Sequence, residues 1–336
     1  MGTNRGGTRL RRVLVLAVGL VVAAAAVLAA RGAPPPAAAA GAPPQGVVVS
    51  RDALGNVVAS HAYGTMSRED QVGDVYYNDA WPAGSHPAIV VVHGGWWHNG
   101  DRHAADRAAR RFFAAGFVVY NIDYRRAADQ QRADGSVNPG DRWPALRVDV
   151  ELAVRFLKAN AATFGTSARR IASYGFSAGG HLVTLAAGYY HSVTVAASVG
   201  AVLQPHRAAD LAMHGRWGDD VATPTIVKSF GYITSALGCS YEPTWYNCGR
   251  KWTSFKPQTY FSATAPAVYA IKGALDPVEP ASALRSIEYW LTRAGQHHKT
   301  LLVAGRSHDE NVILGTTTAD RARFDALVTW VKARSR

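Results

Sequence analysis

Among all stretches of this 336-residue chain, Gly175-Phe176-Ser177-Ala178-Gly179 most constrains the fold. Before it runs Arg170-Ile171-Ala172-Ser173-Tyr174, short and apolar enough for a buried strand. After it runs Gly180-His181-Leu182-Val183-Thr184-Leu185-Ala186-Ala187, which reads as a helix. A strand-to-helix turn this sharp leaves no room for side chains two places either side of the serine, so both positions are Gly. The serine is then held strained and exposed, its hydroxyl above the sheet and its backbone at a helix N-terminus. A purely structural Gly-rich turn would have the same letters. What separates the two readings is whether the rest of the chain supplies partners for a nucleophile.

The surroundings predict an α/β fold. Val47-Val48-Val49 and Val57-Val58-Ala59 flank Leu54-Gly55-Asn56 as a hairpin, and Val72 to Tyr77 is a third strand. Further strands are expected at Ile89 to Val92, Phe117 to Ile122, Val195 to Leu203, Ala267 to Ile271 and Thr300 to Val303. Helices are expected at Arg102 to Ala115, Pro144 to Phe164, Pro280 to Ala294 and Asp320 to Val331. Strands alternating with helices imply a mostly parallel central sheet flanked by helices. Residues 205–264 break that rhythm and are expected to form a small cap-like insert. Length would allow two domains, but the pattern runs on as one α/β domain over residues 46–336.

The formal charge is +12, yet Arg5, Arg9, Arg11 and Arg12 account for four of it. The remaining basic residues are scattered rather than interleaved with aromatics, so no nucleic-acid partner is expected. The basic cluster precedes Val13 to Ala30, which is uninterrupted apolar sequence, and small-residue cleavage options end at Ala30 or Ala40. Residues 1–30 are therefore predicted to be a signal peptide, or a membrane anchor through residues 13–30 if uncleaved. Residues 31–45 are an Ala/Pro-rich linker. The protein is expected to be exported, either secreted or anchored facing the extracytoplasmic side. Cys239 and Cys248 are the only cysteines, and an even count in an exported chain predicts one disulfide.

A serine hydroxyl needs a base to take its proton and a third group to orient that base. All three must meet at the same sheet edge, so they belong at strand ends. Asp276 follows one predicted strand, with Glu279 three residues on as its rival. His308 follows the last strand, whereas His297 and His298 precede it. The order Ser177, Asp276, His308 is that of the α/β-hydrolase arrangement. The amide of Ala178 and those of Gly95 and Trp96, with Gly94 as the alternative, are candidate donors to an oxyanion. His93 is expected to brace that loop.

Together, His93-Gly94-Gly95-Trp96-Trp97, Asp123-Tyr124-Arg125, Trp143-Pro144, Gly175 to His181, Gly273 to Val278 and Ser307-His308 carry a resemblance. From about residue 72 onward the chain resembles the α/β-hydrolase carboxylesterases. The nearest branch is the one related to hormone-sensitive lipase, feruloyl-type esterases and kynurenine formamidase. The resemblance implies an α/β-hydrolase fold and a serine esterase acting on a small-molecule ester through an acyl-enzyme, with no cofactor and no metal. It implies that Asp123-Tyr124-Arg125 hold the fold near the site. Trp96 and Trp97 are expected to line the substrate pocket. Trp96 stands where lipase-like members have a third Gly, and Asp309-Glu310 follow His308 where many esterases have Gly-Phe. Both departures bear on substrate, not on the nucleophile. The rival readings are an arylformamidase or other amide hydrolase, and a non-catalytic binding protein on a hydrolase fold.

Overall fold

The computed structural model describes residues 46–64, 71–128, 130–131, 137–138, 140, 142–239 and 246–335. The expected targeting segment and the linker lie outside the described residues. Among the described residues, no helix is long and apolar enough to cross a membrane.

Three strands come first among the described residues: β1 (Val47–Arg51), β2 (Asn56–Ala62) and β3 (Val72–Asn78). Gly55 turns between the first two with φ +79°, which suits a residue without Cβ. Next come β4 (His86–Val92), α1 (Asp106–Ala114), β5 (Val118–Ile122), α2 (Ala145–Ala159), β6 (Thr166–Phe176), α3 (Ala178–Tyr190) and β7 (Val195–Val199). The nine-stranded sheet is completed by β8 (Ala267–Gly273) and β9 (His298–Val303), in the order β1-β2-β3-β5-β4-β6-β7-β8-β9. The first three strands join antiparallel to each other and to β5. Every pair from β5 to β9 is parallel.

Burial explains the strand composition. Along β4, Ala88, Val90 and Val92 face one core and Ile89 and Val91 the other. A strand covered on both faces needs an apolar run rather than alternation. Helix α3 is buried from Ala178 through Gly188, consistent with its apolar character all round. The closing helices are α7 (Ala281–Arg293), α8 (Asn311–Leu314) and α9 (Thr318–Arg334). The last begins in a capping box between Thr317 and Asp320.

Three expectations are corrected in their bounds or character. Helix α2 stops at Ala159 rather than Phe164, and the chain turns back through Gly165 at φ +77°. Strand β7 stops at Val199 rather than Leu203, because Gly200 turns at φ +56° beneath the His308 ring. The 205–264 insert is largely helical, with α4 (Pro205–His214), α5 (Pro224–Leu237) and α6 (Tyr246–Ser254). Thr223 caps α5 by accepting from the Ile226 amide, Pro224 starts it, and Gly238 ends it in the left-handed region. Its Ile226, Ile233 and Leu237 join the core of α2 and α3, and so do Trp252 and Phe255. The insert is therefore anchored in the core through these residues. Trp217, by contrast, is exposed.

The expected disulfide is also corrected. Cys239 and Cys248 are free thiols. They interact by a side-chain hydrogen bond, and burial together with the neighbouring Cys248 pushes the Cys239 thiol up to about 11.

Candidate active site

The parallel strands bring their C-terminal ends to one edge. Ser177 follows β6, Asp276 follows β8, His308 follows β9, and His93 to Asn99 follow β4. The serine has φ +53° and ψ −120°, which an L-residue adopts only where the surroundings enforce it, at a cost of about 1–3 kcal/mol. Those surroundings are close. A Cβ on Gly175 would lie 2.3 Å from Gly179 backbone, and one on Gly179 would lie 2.1 Å from the Val92 carbonyl. The Ser177 amide donates to the Val199 carbonyl at 2.9 Å, extending the β6–β7 ladder one residue past the strand.

Asp276 and His308 are tied through their loops, since the Leu275 amide donates to the Arg306 carbonyl at 2.8 Å. Nδ1 of His308 stands 3.0 Å from Oδ2 of Asp276, and Nε2 stands 2.9 Å from Oγ of Ser177. A carboxylate only accepts, so Nδ1 carries the proton and Nε2 is free to accept from the serine hydroxyl. The structure thus brings together Ser177, Asp276 and His308. Glu279 does not reach the imidazole. It is buried and accepts from the amides of Leu203 and Gln204 at 3.2 and 2.7 Å.

Burial would raise the Asp276 carboxyl, but the Lys272 ammonium and the His308 hydrogen bond outweigh it and hold it down at about 2. The acid is thus ionised throughout the neutral range. For Glu279 burial dominates and raises the carboxyl, against Lys272 and the two amides. Beneath the His308 loop, Glu310 accepts from the Tyr174 hydroxyl at 2.6 Å. Burial pushes this carboxyl up to about 7.

The loop after β4 packs directly on the serine: a Cβ on Gly94 would lie 3.2 Å from Ser177 Cβ. Gly95, Trp96 and Trp97 follow with φ of +117°, +60° and +63°. At Gly95 a Cβ would lie 1.9 Å from the Asn99 carbonyl oxygen, so no other residue fits. Among the described residues, the amides of Gly94, Gly95, Trp96 and Ala178 donate to no protein group, Ala178 being the first residue of α3. These are the donors expected from sequence, on the serine's own helix start and on the loop whose Gly94 packs against it, and unengaged.

Partners from elsewhere hold this loop. Trp97 is a correction to the expected pocket lining. It is fully buried, its indole N–H donates to Nδ1 of His181 at 3.3 Å, and its ring packs on Phe255. Trp96 is half-buried and stacks on Tyr232 of α5. His98 lies 2.7 Å from the Trp96 carbonyl through Nδ1 and 2.8 Å from the Ser235 hydroxyl through Nε2. His93 reaches the Gly94 carbonyl at 2.6 Å and stacks on Tyr124, whose hydroxyl donates to the His93 carbonyl at 3.3 Å. Asp123 binds Arg102, and Arg125 binds the buried Asp149. Burial lowers the imidazoles of His93 and His181 to about 4.

Sequence reasoning missed Lys272, His98, Tyr232 and Ser235, and named His181 only as the end of the nucleophile motif. Only Lys272 had a visible signal, being a charged residue inside the otherwise apolar strand Ala267–Gly273.

A doubly covered parallel sheet, with a strained serine, an imidazole and a carboxylate at its C-terminal edge, is the arrangement of the α/β-hydrolase fold. A family model described as BD-FAE matches residues 74–291. The chain belongs to the BD-FAE family. It is 27% identical over 260 residues to Esterase LipC of Mycobacterium tuberculosis, covering 76% of this chain and 61% of that protein. Esterase LipQ of the same organism is 32% identical over 126 residues, 37% of this chain and 27% of that one. The chain thus spans less than two thirds of the length of these relatives. Among solved structures, a bacterial heroin esterase superimposes with TM-score 0.65 at 20% identity, covering 84% of this chain and 85% of that chain.

Proposed function

We propose that this chain hydrolyses carboxylic esters of small molecules through an acyl-enzyme. One observation carries the reading: the unbroken hydrogen-bonded series from Ser177 Oγ through His308 to Asp276, with steps of 2.9 and 3.0 Å, beside unengaged backbone amides. Ser177 attacks the ester carbonyl while Nε2 of His308 takes its proton. The developing oxyanion is received by the Ala178 amide and those of Gly94 to Trp96. His308 then gives the proton to the leaving alcohol, and Asp276 holds the imidazole in its tautomer and stabilises the cation. Water, activated by the same imidazole, releases the acid. The esterase names of the relatives support an ester over an amide.

The apolar segment Val13 to Ala30 supports export, with residues 46–336 as the catalytic domain behind a linker. N-terminal sequencing of the extracytoplasmic protein checks this: a start beyond Ala30 is expected, and retention of Met1 in a soluble cytoplasmic fraction would refute it.

Nitrophenyl esters from acetate to palmitate, assayed beside formyl amides, test the activity. Ester turnover that disappears in Ser177→Ala is expected; turnover of formyl amides alone would refute the ester reading.

A further inference from the structure

The third member of the site has a companion that the mechanism above does not use. Lys272 ends the buried side of β8 one residue before Gly273, and its side chain is almost fully buried. Its ammonium donates to Oδ2 of Asp276 at 3.0 Å and stands 3.5 Å from Oε2 of Glu279. Oδ2 is the oxygen that also accepts from His308, at 3.0 Å. The other oxygen, Oδ1, accepts from the Val278 amide at 2.9 Å. The carboxylate is therefore gripped from three directions, and the orientation of His308 depends on an oxygen shared with a cation.

A lysine in this place has a cost. An ammonium out of water destabilises the fold unless paired, and a wholly apolar strand would serve β8 as well. Glu279 supplies the second half of the pairing. It is itself fixed by the amides of Leu203 and Gln204, at the point where the chain leaves β7 for the insert. The titratable groups facing the ammonium are Asp276 and Glu279 on the loop after its own strand, and His308 on the loop after β9.

We propose that Lys272, anchored by Glu279, is a positioning residue for Asp276, fixing the carboxylate and setting how readily His308 takes up a proton. The proposal rests on the role given above to the three groups. Sharing Oδ2 puts the ammonium and the imidazole within about 6 Å, where a like charge disfavours protonation. Lys272 thus opposes the Asp276 charge as seen by His308. Glu279 offsets part of the lysine charge, so it acts in the opposite sense.

The test compares pH profiles of kcat/KM for p-nitrophenyl acetate in wild type, Lys272→Met and Glu279→Gln. Circular dichroism and thermal melts confirm that each variant is folded. In Lys272→Met the acidic limb should move up by about half a pH unit or more, with kcat about tenfold lower and KM within about twofold. In Glu279→Gln the limb should move down. Lys272→Arg, which keeps the charge, should restore the wild-type limb if it folds. A limb that stays in place in either of the first two variants, or moves the same way in both, overturns the proposal. A merely structural lysine would lower activity and stability without moving the limb.

A second readout is independent of turnover. The His308 imidazole is titrated by NMR in Ser177→Ala and in Ser177→Ala/Lys272→Met, assigned against His308→Gln. The same upward displacement is expected, and coincident titration curves overturn the proposal. If Ser177→Ala retains full ester hydrolysis, the proposed function fails instead, while the imidazole titration still decides the place of Lys272.

Discussion

Two loops meet at the site, and both are strained. They are strained for different reasons. The turn at Ser177 is enforced from within its own neighbourhood: Gly175 and Gly179 touch, and Gly179 lies on the Val92 and His93 carbonyls of the adjacent strand end. The loop after β4 is enforced from outside. Gly95 alone has a local reason, the Asn99 carbonyl; Trp96 and Trp97 adopt left-handed conformations that an L-residue resists by about 1–2 kcal/mol each. Side chains from distant elements hold them there: Tyr232 and Ser235 on α5, and His181 on α3. A nucleophile turn can be encoded in five residues. A loop presenting backbone amides depends on what packs behind it.

The comparison can be broken at several points. The largest effect is expected at the serine itself. Ser177→Ala should lower kcat by about three orders of magnitude or more, leaving binding and the amides, with thermal stability retained, since Ala keeps the Cβ and the backbone conformation and loses only the hydroxyl that meets His308. Stopped assays with p-nitrophenyl butyrate and a melt measure both; full activity in a folded variant defeats the assignment.

At the second loop, Gly95→Ala should lower kcat by about 10²–10³-fold, because the new Cβ collides with the Asn99 carbonyl and turns the neighbouring amides away. The change should fall on kcat rather than KM, the signature of a contact made in the transition state.

A smaller effect is expected from the outer support. Ser235→Ala removes the hydroxyl that donates to His98 Nε2. It should reduce kcat about tenfold while leaving fluorophosphonate labelling of Ser177 in place, since the nucleophile turn does not depend on α5. If labelling slows as much as turnover, the two loops are not independently held.

The last is a pH effect on stability, offset in part by an opposing group. His93 and His181 are buried and neutral, lowered from 6.5 to about 4 by burial. A base depressed in the folded state contributes stability that is complete above its unfolded value. That stability is lost as pH falls through about 6.5 toward about 4, by up to about 3 kcal/mol each. Glu310, raised to about 7, works in the opposite direction over about 4.5 to 7 and offsets part of the loss. Urea denaturation at pH 7.5 and 4.5 should show a lower midpoint in acid. An unchanged midpoint would mean that these imidazoles are not held neutral.

Much of the fold was legible because its signals are local. Val90 to Val92 announce a doubly covered strand by composition, and Leu146, Val150, Ala153 and Leu157 mark one face of a helix. Ser177, Asp276 and His308 were legible because an α/β sheet delivers all strand ends to one edge, so position after a strand sufficed. The insert was less legible. Its aromatic residues break the alternation, and only packing against α2 and α3 shows that Trp252 is core while Trp217 is exposed.

The sequence by itself determined the turn, the order of the three reactive groups and the glycines beside them, since these follow from backbone sterics over a few residues. Tertiary structure decided the rest. It chose Asp276 over Glu279, because both lie within reach along the chain and only the Leu275–Arg306 tie aims one at the imidazole. It put Trp97 in the core, and it left the thiols of Cys239 and Cys248 unbridged. It also set a buried lysine against the acid. Each outcome depends on distances between residues far apart in the chain, which periodicity and spacing do not contain.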